Sequence, residues 1–330
     1  MQENPGPQVP YGAQYPYPPA PPSPPRSWFL PMPSGTRFDH LARNEVARPW
    51  RAIVGTLALA ALFLIVATVV LSAGAVVAVI LGIPAPLDVN TGLFGDPVFG
   101  MVVMLLSIAA VLPFVFGLAA LVQRRRPGTL SSVAGRLRWT WLATCAGLAL
   151  LALVAGQTVQ VLALAVSGEG YADMFGWVGW ERFLPALIVI VLLVPFQAAA
   201  EEYIFRGWFL QAVGAHVRNP VWGILIGAAL FASLHGYSWT GLADVFAFGA
   251  VMGWLAVRTG GLEAAIALHV MNNMLAFGLS AAAGTLDDAL IQSKVVVPWQ
   301  ALVGVVVQFG LYAFGVLYLA KKRSVGTISG

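Results

Sequence analysis

Charge is scarce in this chain. Only 10% of its 330 residues are Asp, Glu, Lys or Arg, against about 25% in an average soluble domain. An ordinary soluble enzyme and a disordered polar chain are both excluded, because 59% of the residues are hydrophobic. Cysteine is nearly absent. Cys145 alone stands in an apolar run, so no disulfide framework and no multi-cysteine metal site forms within the chain. Strong net charge is also missing: the balance is +4, too small for a nucleic-acid binder. No internal repeat of the kind found in many transporters is visible. The first residues lack both the basic start and the apolar core of a signal peptide.

What is present is distributed unevenly. Residues 1–35 hold twelve of the 22 prolines, interleaved with Tyr11, Tyr15 and Tyr17. Proline offers no backbone N–H and a fixed φ, which predicts a disordered or polyproline II cytosolic tail. Residues 36–52 add Arg37, Arg43, Arg48 and Arg51 and read as a basic juxtamembrane segment lying on anionic headgroups. From 53 to 323 the chain reads as a transmembrane domain. A spanning helix needs about 20 mostly apolar residues. Eight runs meet that measure: 53–82, 98–122, 139–166, 184–214, 219–238, 242–258, 261–283 and 297–320.

The basic residues orient these spans. With the N-terminus inside, 15 of the 18 Lys and Arg residues fall on inner segments, among them Arg124–Arg126, Arg136, Arg138, Arg218, Arg258 and 321–323. Asp88, Asp96, Glu169, Asp173, Glu181, Asp287 and Asp288 fall outside. Such asymmetry predicts a multi-pass protein of the plasma membrane with both termini cytoplasmic. Trp177, Trp180 and Trp299 at outer boundaries, and Trp50 and Trp139 at inner ones, match an aromatic belt.

Ionisable groups within hydrocarbon are expensive and by default mark a site. They gather in the second half of the chain. The fourth span holds Glu201, Glu202 and Arg206; the fifth holds His235; the seventh holds His269, Asn272 and Asn273. Glu202 and Arg206 are four apart with the acid first, the favourable orientation for an ion pair on one helix face. Glu201 points about 100° away and meets only Ile204 and Phe205 at i+3 and i+4, so it suits a general base. Pro195 is expected to kink this span and admit water. Glu201 lies 17 residues before position 218 and His235 lies 17 after it, so an antiparallel hairpin brings them level. His269, about nine residues beyond its own turn, agrees less well. Asp244 and Glu263 fall at helix ends, where solvation is easy.

Water held between Glu201 and His235 would lose a proton as it attacks a carbonyl. Asn273 and His269 supply N–H donors for the oxyanion that results. The set suits amide hydrolysis at membrane depth. Zinc is the competing chemistry, through Glu201, His235 and His269. No H-E-x-x-H run supports it, and the reading takes no cofactor as required.

Three runs resemble a known family. EEYIFR (201–206), FASLH (231–235) and HVMNN (269–273) are similar to the EExxxR, FxxxH and HxxxN motifs of the CPBP intramembrane proteases. These include type II CAAX prenyl endopeptidases and bacterial proteins linked to bacteriocin immunity. The likeness covers roughly residues 180–283. It implies an eight-helix fold with a cytosol-facing cavity. It also implies that Glu201 activates water with His235, that His269 and Asn273 form the oxyanion hole, and that Glu202 and Arg206 support them. The family has been described both as metal-dependent and as metal-free. The expected substrate is a membrane-associated protein or peptide, the other partner is membrane lipid, and no nucleic acid is involved. Two alternatives keep the same helices: a non-catalytic scaffold or immunity-type protein, and a proton-coupled transporter.

Overall fold

The computed structural model describes residue 2 and residues 27–86, 92–170, 175–295 and 297–330. Most of the tail, with its tyrosines and Arg26, lies outside the described residues, as do Asp88 and Asp173 and the side chain of Lys294.

Among the described residues the chain is helical, with isolated bridges and no strands. Seven helices are long and apolar enough to cross a membrane. The first is α1 (Pro49–Leu81). A second crossing is broken into α2 (Pro97–Ala109) and α3 (Leu112–Leu121), because Pro113 has no N–H to continue the ladder. Then come α4 (Trp139–Ser167) and α5 (Trp180–Glu202). A π-helical stretch, Tyr203–Phe209, and the short α6 (Leu210–Gly214) prolong α5. The remainder are α7 (Pro220–Ser233), α8 (Trp239–Thr259), α9 (Glu263–Ala283), the short α10 (Leu286–Leu290) and α11 (Trp299–Lys322). Outward faces carry bare apolar side chains such as Leu64, Val79, Val166 and Phe314, which only a bilayer covers. Trp50, Trp139, Trp180 and Trp299 each stand in the first turn of a helix and are more than half exposed.

The fifth run, 219–238, is not a full span. Its helix, α7, has 14 residues and rises about 21 Å, short of a hydrocarbon core of about 30 Å. The helix stops at Ser233, so His235 stands beyond its end and not in a helix interior. Even so, α7 counts as a pass. Ser329 N–H donates to Thr36 O and Gly35 N–H to Ser329 O, both at 2.9 Å. Residues 35–36 and 329 therefore lie on one face, which requires an even number of passes between them.

That face is built differently from the sequence reading. Residues 28–35, counted there as tail, are tied down: the Trp28 indole donates to Ala120 O, and Leu30 N–H to Arg124 O. Residues 36–48 do not simply lie on headgroups. Phe38 and Leu41 are buried in a core cluster with Leu59, Tyr203, Trp208 and Leu262, while Arg43 donates to Gly214 O and Val217 O. The driving force is burial of apolar side chains that a surface strip leaves wet.

Close approach fixes the bundle. A Cβ on Gly55 of α1 would lie 2.6 Å from the Trp208 ring, so only glycine admits that indole. Gly156 of α4 and Gly304 of α11 touch backbone to backbone: a Cβ on Gly304 would be 2.6 Å from Gly156 O. This is the small-residue packing that brings helices together where lipid removes the hydrophobic drive. At the centre stands α9, whose residues Glu263 to His269 are all buried.

Candidate functional site

The helices α5, α7 and α9 bring the acids and imidazoles together. Glu201 and Glu202 are the last two α-helical residues before the π turn. Widened turns of this kind recur at functional sites. Here the turn buries Tyr203, Arg206, Gly207 and Trp208 at once. The helix continues through Pro185 and Pro195 and widens to π geometry at 203–209.

Glu202 is fully buried. Its Oε1 accepts from Arg206 Nη1 at 2.9 Å and from His269 Nδ1 at 2.7 Å, while its Oε2 has no partner among the described residues. The i,i+4 pair expected from spacing is therefore present. The Arg206 guanidinium also lies over the Phe231 and Phe248 rings, 4.6 and 5.6 Å from their centroids. Those ring faces offset part of the cost of burying a cation.

Glu201 is the more accessible acid, with 14% of its side chain exposed against none for Glu202. It has no partner on its own helix, as the spacing indicated, but α9 supplies one. His269 Nε2 is 3.3 Å from Glu201 Oε2. The imidazole thus bridges both glutamates, one at each ring nitrogen. His269 reaches this depth because α9 starts beneath a roof. Leu262 N–H donates to Ser131 O, Val133 N–H to Gly260 O, and Glu263 is buried against Arg138 at 2.7 Å. The recessed start accounts for the offset in the sequence count. It also corrects the reading of Glu263 as easily solvated.

His235 is held by its own turn. Its Nδ1–H donates to Phe231 O at 2.8 Å, which leaves Nε2 with its lone pair. Phe231 separates the imidazoles: its ring centroid is 4.7 Å from that of His235 and 5.9 Å from that of His269. Two cavities meet at this wall. One, about 560 Å³ and mostly apolar, is lined by Glu201, Phe205, Phe231, His235 and α1 residues. The other, about 220 Å³, is polar and lined by His235, His269, Asn272, Asn273, Gln157, Gln160 and Gln308. His235 and Phe231 belong to both.

Asn273 donates through Nδ2 to Gln197 Oε1 at 3.0 Å. Sequence reasoning passed over Gln197. The signal was available, since a carboxamide sits one helical turn before Glu201 in an otherwise apolar run. Tyr237 and Asp244 were also missed as lining residues of the polar cavity; Asp244 sits in the second turn of α8, half-buried, not at a solvated end. Tyr237 stacks on His235 with centroids 5.9 Å apart.

The donors fit a metal poorly. Both nitrogens of His269 face carboxylates, His235 presents one free nitrogen, and no group of three or more His, Cys, Asp or Glu converges on one point among the described residues. Glu201, His235 and His269 do not make a ready three-ligand set in this arrangement.

Comparison with known proteins points the same way as the three motifs. Residues 181–275 match the family described as Rce1-like, type II CAAX prenyl endopeptidase. That stretch holds all six residues of the constellation. Over 195 residues the chain is 26% identical to the Bacillus subtilis (strain 168) protein YyaK, itself described as uncharacterized. The match covers 57% of this chain and 63% of YyaK, less than two thirds of that relative. No solved structure matches.

Proposed function

We propose that this multi-pass membrane protein, with its Rce1-like segment, is an intramembrane endopeptidase that cleaves a peptide bond of a membrane-associated protein or peptide. The observation that carries the reading is one cavity wall bearing both an accessible carboxylate, Glu201, and an imidazole with a free lone pair, His235. Water seated there donates to both. Glu201 takes the proton as the oxygen attacks and returns it to the departing amine nitrogen. Asn273 keeps a second N–H beyond the one given to Gln197, and this donor meets the developing oxyanion. His269 holds Glu201 in place through Nε2 and Glu202 through Nδ1. Glu202 and Arg206 are positioning residues. Protonation and water, not a metal, carry the chemistry. The arginine-bearing face is the cytoplasmic one, by the charge asymmetry of the loops.

The test is cleavage of a quenched fluorescent peptide library, lipidated and unlipidated, by the protein in proteoliposomes. Glu201→Gln and His235→Ala are expected to lower kcat by about 10²-fold or more, and a chelator to leave the rate unchanged. Variants that cleave as fast as the parent overturn the reading. They would favour the non-catalytic scaffold, which the fully engaged state of His269 also suits.

A further inference from the structure

The polar cavity of about 220 Å³ contains an acid that the mechanism above does not use, Asp244. It is the sixth residue of α8 (Trp239–Thr259). Capping bonds and the helix dipole act within the first turn, so neither satisfies it. Its carboxylate makes no hydrogen bond and no ion pair among the described residues. Asp244 is half-buried, and a carboxylate withdrawn from water without a partner is costly. The cavity itself supplies no cation, since no Lys or Arg is among its described lining residues.

The rest of the lining suits a positive occupant. Gln157 and Gln160 of α4 present carboxamides, and Phe248 and Phe309 present rings. Carboxamide oxygens accept N–H donors, and aromatic faces attract cations. Size narrows the choice. Pockets for whole small ligands span about 300–1,000 Å³, so this smaller space fits one long side chain.

Position indicates where that side chain comes from. The polar cavity shares His235 and Phe231 with the apolar cavity that holds Glu201. The charges of Asp244 and Glu201 both act on the Tyr237 hydroxyl, so the unpartnered acid stands near the hydrolytic one. One extended peptide laid across the shared wall presents an apolar residue to one cavity and a basic residue to the other.

We propose that Asp244 is a specificity-determining residue: the polar cavity takes a Lys or Arg side chain of the substrate, beside the scissile bond. This rests on the peptidase reading and names its substrate class. The carboxylate accepts charge-assisted hydrogen bonds from the ammonium or guanidinium. Gln157 and Gln160 accept from the N–H groups that remain, and an acidic side chain at the same position is repelled.

The test uses apolar peptides carrying one Lys, Glu or norleucine, moved stepwise along the sequence, with the full chain in proteoliposomes. At one position Lys should raise kcat/KM about ten-fold over norleucine, through KM. Glu at that position should lower it. Asp244→Asn should bring the Lys-to-norleucine ratio close to one, and Asp244→Lys should turn the preference toward Glu. Binding of the same peptides to the Glu201→Gln chain in phosphatidylcholine nanodiscs, against empty nanodiscs, reads the subsite without turnover. Lys should again be preferred about ten-fold, and adding Asp244→Asn should abolish the preference. If the parent cleaves none of the peptides, the peptidase reading fails. If Lys and norleucine peptides bind equally, or the Lys preference survives Asp244→Asn, the subsite fails.

Discussion

Replacing Arg206 with Met probes the arrangement most directly. Glu202 is buried, and its Oε1 takes bonds from Arg206 at 2.9 Å and from His269 at 2.7 Å while Oε2 has neither. Arg206→Met leaves a buried carboxylate supported by one imidazole. Orphaning one member of a buried pair costs about 3–5 kcal/mol, which is about two to four decades in the folding equilibrium. Glu202→Gln alone strands the guanidinium, though the Phe231 and Phe248 faces soften that loss. The Glu202→Gln/Arg206→Met pair removes both charges together and should recover most of the stability, because apolar or neutral replacements of buried pairs are often close to neutral. Unfolding by SDS in mixed micelles, run on parent, both single variants and the double, gives the coupling energy. A value of about 2–3 kcal/mol is expected. Additive losses, with coupling near zero, refute the claim that these charges support one another.

Two other outcomes follow from features on the arginine-bearing face and at the α4–α11 seam. Gly304→Ala should separate α4 from α11, because its Cβ would lie 2.6 Å from Gly156 O; overpacking of this kind costs about 1–3 kcal/mol, read as a lower SDS midpoint, whereas Gly310→Ala, which meets open space, should match the parent. Burial lowers the pKa of His40 from its ordinary 6.5, with Asp39 pulling the other way. The unfolded chain therefore binds a proton first on acidification, so stability is present above about pH 6.5 and is lost as pH falls through the lowered folded value. His40→Asn should flatten the melting temperature between about pH 7 and pH 5, and an unchanged slope would assign the acid limb to another group.

Some of this was legible from residue order alone. Glu202 and Arg206 pair because four residues bring two side chains to one face, whatever surrounds them. Long apolar runs gave α1, α4 and α11 to within a few residues, since lipid imposes their length. The end of α7 was hidden by composition: Leu234 and Tyr237 extend the apolar count past Ser233, and only Gly236 signalled a stop. The π turn was not legible, because Tyr203–Phe209 winds wide to satisfy neighbours on several sides. Nor was the pairing of Glu201 with His269, which depends on how far α9 is sunk beneath residues 131–133. Local spacing reports what one helix does; depth is set by contacts between segments far apart in sequence.

The shortness of α7 has a consequence for the lipid itself. A strut of about 21 Å in a slab of about 30 Å leaves a notch roughly 9 Å deep, and acyl tails cannot line it because the peptide groups after Ser233 have left the helix. Solvent must fill that notch from the far leaflet or the sheet must pinch. Bilayer thickness then becomes a control on how wet His235 is, so longer or shorter fatty acids should tune the protein's behaviour without touching a single side chain.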